Sequence, residues 1–166
     1  MAVHWGVFIF WKNYHESIDS SIKLIAAKYK QCLFIDLHGH GHEKQRLELG
    51  YLVNGNSLRN PSSITPEQTS VFHLLQLNNS ITVLQLLTRQ NAFGTMMAAK
   101  GFSAVPSAQI PAPSVGDSHF DGGFNTGRFT GAAYPVVYGW QMEANNTGVR
   151  DNSSNRALSA KAFVQS

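Results

Sequence analysis

The chain has 166 residues, 43% apolar and 14% charged, with ten Phe, five Tyr and three Trp. That length suits one domain and excludes a complete (β/α)₈ barrel, which needs at least about 200 residues, while the apolar content excludes general disorder. Thirteen Lys plus Arg against ten Asp plus Glu give a net charge of +3, and the basic residues are scattered singly, so the patch expected of a nucleic-acid binder is missing.

The apolar run Trp5 to Trp11 has no basic n-region before it and no small-residue cleavage site, and is far short of the roughly 20 residues of a membrane span. A chain that starts straight into aromatic residues hints at a missing front part. Glu16 to Lys30 reads as an amphipathic helix, because Ile18, Ile22, Ile25, Ala26 and Tyr29 recur at spacings of three and four; Glu16 and Asp19 near its start and Lys28 and Lys30 at its end suit the helix dipole. Cys32 to His38 then reads as a strand buried on both faces, feeding a Gly/His cluster. Cys32, the lone cysteine, cannot form an internal disulfide, which favours a reducing, cytoplasmic compartment.

Glu48 to Val53 is a second strand, ended by the turn Asn54-Gly55-Asn56. Pro66 to Leu77 is helical, Ser80 caps a helix over Ile81 to Thr88, and Phe93 to Lys100 ends at Gly101. Phe102 to Pro135, with four of the six prolines, reads as a long loop of functional or disordered character. Val136 to Met142 returns as a strand and Ser154 to Val164 as a terminal helix. Leucines such as Leu74, Leu75, Leu86 and Leu87 are core positions. The sequons at Asn78, Asn145 and Asn152 are read as bare, and no linker or repeat divides residues 1–166, so a single α/β domain is expected.

Candidate chemistry gathers at two strand ends. His38, His40 and His42 alternate after the first strand; in extended backbone they share a face with Asp36, where neutral imidazoles can converge on a metal ion. The competing reading is a Gly/His surface turn. Glu143 ends the later strand at the rim of a sheet, where a partly desolvated carboxylate can act as general base; a solvated strand-end Glu is the alternative. Arg128 and Arg150 offer the two-pronged donor that a substrate carboxylate matches, or serve as surface ion-pair partners. The pair Gly122-Gly123 suggests backbone held close to a site wall.

The segments Phe34-Ile35-Asp36-Leu37-His38-Gly39-His40-Gly41-His42, Arg46-Leu47-Glu48-Leu49-Gly50-Tyr51-Leu52, Phe120-Asp121-Gly122-Gly123-Phe124-Asn125-Thr126, Trp140-Gln141-Met142-Glu143 and Gly148-Val149-Arg150 keep an order that resembles the N-formylglutamate amidohydrolase family over most of residues 14–163. The resemblance implies a three-layer α/β/α, zinc-carboxypeptidase-like (phosphorylase/hydrolase-like) fold with a mixed sheet, lacking its N-terminal strands. It also implies one catalytic zinc and hydrolysis of the amide bond of N-acyl, N-formyl-type amino acids. It places a zinc ligand on His38, with His40 and His42 as further possibilities, and the general base on Glu143. Asp36 then supports a ligand histidine, and Asn125, Arg128 and Arg150 meet the substrate. The family's upstream pair of ligands has no counterpart here: His4 and His15 are the histidines before His38, and His15, after Tyr14, reads as a helix-start residue. Weak zinc affinity, impaired activity and exposed strand edges follow as expectations. A non-catalytic remnant of the same fold, and a metal module built on His38, His40 and His42 alone, are the rival readings.

Overall fold

The computed structural model describes residues 3–78 and 80–166. Its spine is a four-stranded mixed sheet in the order β1-β4-β2-β3, with β1 Cys32–Gly39, β2 Leu47–Gly50, β3 Ala104–Val105 and β4 Val137–Ala144. The strand β4 runs parallel to β1 and antiparallel to β2, and β2 is parallel to β3. Helices flank it: α1 Val3–Tyr29, α2 Gly55–Arg59, α3 Phe72–Leu75, α4 Val83–Thr88, α5 Phe93–Ala99, α6 Phe124–Phe129 and α7 Ser153–Val164. This is a mixed α/β architecture, as expected from a helix feeding a strand.

Strand alternation divides the sheet into two faces. One carries Ile35, Leu47, Leu49, Trp140, Met142 and Ala144, packed against Leu58, Leu75, Leu86, Leu87, Met97 and Ala162 of α2, α3, α4, α5 and α7. The other starts as a small apolar cluster of Cys32, Phe34 and Val137 under Ile18 and Ile22 of α1 and Phe129 of α6. Further along the same strands this second face turns polar, through Asp36 and His38 on β1, Gln141 and Glu143 on β4 and Glu48 on β2.

Several elements differ from the sequence expectations. The first helix begins at Val3, not near Glu16; the aromatic run is part of it, and His15 is a buried mid-helix residue rather than a helix start. The strand β1 is not buried on both faces. Among the described residues it is an edge strand, paired with β4 alone, and Leu33 and Leu37 are 49% and 68% exposed because the helices covering their face sit over the strands beyond. The second strand stops at Gly50, since Leu52 takes a positive φ of 60° and cannot continue a ladder.

The stretch from Pro66 splits into a 3₁₀ turn, Pro66–Gln68, and α3. Ser70 interrupts it: its hydroxyl donates to the Gly139 carbonyl at 2.6 Å, and its own carbonyl accepts the Gly139 N–H at 3.0 Å. Those tertiary bonds extend the ladder of β4 and outweigh local helix preference. Thr82, not Ser80, caps α4, in a reciprocal box with Gln85 that satisfies two end groups. Gly101, at φ +91°, follows α5 as expected. The span 102–135 is not structureless, because it contains β3 and α6. The strand from Val136 and the helix from Ser154 appear as β4 and α7, shifted by one or two residues. Asn79, in the first sequon, lies outside the described residues.

Candidate functional site: a polar row on one face of the sheet

The parallel register sets His38 opposite Glu143, and the antiparallel register sets Glu143 opposite Glu48. Register partners share a face of the sheet, with adjacent strands roughly 4.8 Å apart, so His38, Glu143 and Glu48 form a row across three strands near the ends of β1 and β4. Glu48 is completely buried and Glu143 is 4% exposed. Carboxylates at that depth require partners, and each has at least one.

Glu143 Oε1 accepts a 2.7 Å hydrogen bond from the Gln141 amide, two residues back on the same face. Glu48 uses both oxygens: Oε1 lies 3.0 Å from His42 Nδ1, and Oε2 accepts the Phe120 backbone N–H at 2.8 Å. The Phe120 ring then stacks on His42, centroids 4.7 Å apart and planes 6° from parallel. At the other end of the row, Asp36 Oδ1 sits 3.0 Å from His38 Nε2, the contact expected of a supporting carboxylate, with His38 about half exposed.

The three alternating histidines therefore do not share one fate. Beyond Gly39 the chain leaves β1 and crosses toward β2, carrying His40 and His42 to Glu48. His40 is buried, its Nε2 2.8 Å from the Arg46 carbonyl while its Nδ1 accepts the His42 backbone N–H at 3.1 Å. Among the described residues, His40, His42 and Glu48 are the one group of three ligand-type side chains whose donor atoms lie within 4.8 Å of one another. His38 is not in it. A zinc site with three protein ligands is not completed at His38 by the residues around it, and the three alternating histidines do not converge on one point here.

The expected substrate-binding residues are engaged elsewhere. Arg150 donates from Nε to the Ala144 carbonyl and from a terminal nitrogen to the His40 carbonyl, clamping the ends of β4 and β1 together. Gly39 is required by this clamp, since a Cβ there would lie 2.4 Å from the guanidinium carbon, whereas Gly41 stands in open space. Arg128 lies 5.7 Å from the Trp11 ring centroid and 5.5 Å from that of Phe129, and Asn125 donates to the Tyr14 hydroxyl. The pair Gly122-Gly123 does approach other backbone and the site: a Cβ on Gly123 would meet the Gln141 amide oxygen at 2.5 Å, and Gly122, at φ +125°, abuts Leu52.

Glu48, inside the resembling segment Arg46 to Leu52, carried only a faint signal, an acid between two strand leucines. His119 escaped the sequence reading and carried no signal. Both of its ring nitrogens are buried without a hydrogen-bond partner, and burial pushes its pKa down, with the charges of Glu48, Arg46, Asp121 and His42 as lesser influences. Close by, Arg46 is buried against Asp117 at 3.2 Å, and Lys44 reaches the same carboxylate; Lys44, ahead of burial and Arg46, sets the net lowering of the Asp117 pKa.

Compared with models of protein families, with curated proteins and with solved structures, the chain finds no significant match in any of the three. Among the described residues no helix is long and apolar enough to cross a membrane.

Proposed function

We propose that the chain carries the site of a metal-dependent hydrolase for the amide bond of small N-acyl amino acids, of the N-formylglutamate amidohydrolase type and carboxypeptidase-like in fold. The observation that carries this reading is the row itself: the histidine and glutamate that the resemblance singles out are register partners on one face. In this reading Glu143, oriented by Gln141, takes the proton of an attacking water and delivers it to the leaving nitrogen. Its burial keeps bulk water from competing for that proton. Asp36 fixes the ring of His38 beside it. The resemblance also implies zinc. His38 and Asp36 do not complete a zinc site by themselves, and the chemistry assigned to the chain is that of Glu143.

The test is hydrolysis of N-formyl- and N-acetyl-amino acids by purified protein supplied with zinc. Turnover is expected to fall about 10²- to 10⁴-fold in Glu143→Gln, the usual contribution of a positioned base; equal turnover in the variant would remove Glu143 from that role. A second reading, a non-catalytic binding module of the same fold, is favoured by Arg150, whose guanidinium is held by the Ala144 and His40 carbonyls instead of a substrate carboxylate. It predicts no turnover of either substrate.

A further inference from the structure

The loop leaving β1 and the segment 119–121 converge on the buried end of β2, and three features there remain unexplained by the hydrolase reading. Glu48 is a carboxylate with no exposed surface, and the one titratable cation-forming group bonded to it is the His42 imidazole. Arg46, the nearby guanidinium, is spent on Asp117. His119 buries two ring nitrogens that have no hydrogen-bond partner, and polar atoms shut away from water in this way lose the bonds they would make to it. In proteins such unpaired groups call for a water or an ion to complete them.

We propose that this cluster is a binding site for one divalent ion of the zinc class, held by His40, His42 and Glu48, with His119, whose ring nitrogens lie outside that close group, turning in to complete it. Two or three imidazoles and one carboxylate form a donor set suited to zinc, cobalt or nickel and poorly suited to calcium or magnesium, which take oxygen. The spacing fits: the three converging atoms lie within 4.8 Å of one another, and atoms bound at about 2.1 Å to a tetrahedral centre sit roughly 3.4 Å apart. The supports around the ligands fit too. His40 Nε2 donates to the Arg46 carbonyl, the second-ring-nitrogen bond that orients ligating histidines, and its Nδ1, which accepts the His42 N–H here, would exchange that bond for the ion. Glu48 is fixed by the Phe120 N–H, and the Phe120 ring holds His42 flat against it. An ion there would neutralise the buried carboxylate and give His119 a partner. This site does not depend on the hydrolase reading, which puts the ligand on His38.

The experiment is direct metal binding by the full chain, stripped with a chelator and titrated with Zn²⁺ by calorimetry and with Co²⁺ by visible absorption. The expected result is one ion per chain, with the intense bands of low-coordinate Co²⁺ bleached by added Zn²⁺. His42→Ala and Glu48→Gln should weaken binding by tenfold or more, and His119→Ala by about tenfold. His38→Ala should leave it unchanged. His42, a quarter exposed on its side chain, is the substitution least able to disturb folding, which circular dichroism checks. Absence of stoichiometric binding in the wild type, full binding in His42→Ala, or a loss in His38→Ala equal to that in His42→Ala would each overturn the proposal. Activity is not the readout, so a failed hydrolase assay leaves the metal result standing, and the reverse holds as well.

Discussion

On one face of the sheet Leu47, Leu49, Trp140 and Met142 are at most 8% exposed; on the other, Glu48, Gln141 and Glu143, from the same two strands, are at most 6% exposed. Equal depth thus hides opposite chemistry. Burial of the leucines and Trp140 stabilises the fold by removing apolar area from water, whereas burial of the carboxylates costs free energy that local pairing only offsets. The polar face is built from short links, Asp36 to His38, Gln141 to Glu143 and His42 to Glu48, while the apolar face is a continuous cluster reaching α2, α3, α4, α5 and α7.

Substitutions can separate the two faces. The largest effect on stability is expected from Leu49→Ala, about 2–5 kcal/mol by chemical denaturation, because Leu49 is 1% exposed within the main cluster. A milder loss, below about 1.5 kcal/mol, would mean that the apolar face collapses around cavities more readily than its packing indicates. Next comes the contrast within the Gly/His motif. Gly39→Ala should lower the melting temperature by several degrees through displacement of Arg150, and Gly41→Ala should leave it nearly unchanged; equal melting temperatures for the two variants would deny the clamp its role. On the polar face, Glu143→Gln is isosteric and keeps an acceptor for Gln141, so its stability should stay within about 1 kcal/mol of wild type by the same measurement, even where it abolishes turnover. The smallest effect concerns Asp19, whose carboxyl is held below its ordinary pKa by hydrogen bonds from Lys23 and then Tyr134. A lowered folded-state pKa adds stability above the unfolded value of about 3.9 and loses it as pH falls through the folded one. The melting temperature of Asp19→Asn should therefore converge on that of wild type as the solution is acidified from about pH 5 toward pH 3; an unchanging gap would mean that the contact is inert.

How much of this was legible beforehand follows from where each signal resides. The strands β1 and β4 and the helix α7 were readable because each carries its own pattern over eight or more residues. Glu143 was readable as the acid at the end of such a strand. The register that pairs it with both His38 and Glu48 is a property of three segments together, and no local window contains it. The two-residue strand β3 and the six-residue helix α6 are too short to show a period, so the long span between α5 and β4 read as loop. The break at Ser70 depends on its bonds to Gly139, and the buried state of His15 on the rings of Trp11, Tyr14, Phe124 and Phe129 around it. His119 lies in a stretch whose backbone follows no repeating pattern, so nothing in its neighbours' spacing could have marked it.

The parallel pairing of Cys32 with Val137 has a consequence for how the molecule is made. Residues so far apart close a loop of roughly a hundred residues, which is entropically costly and kinetically slow. During synthesis β1 emerges roughly a hundred residues before the neighbour it pairs with. Throughout that interval both of its edges lack bonds, and aggregation competes with productive folding, so the yield of native protein should rise with slower translation or with chaperones that shield an unpaired strand.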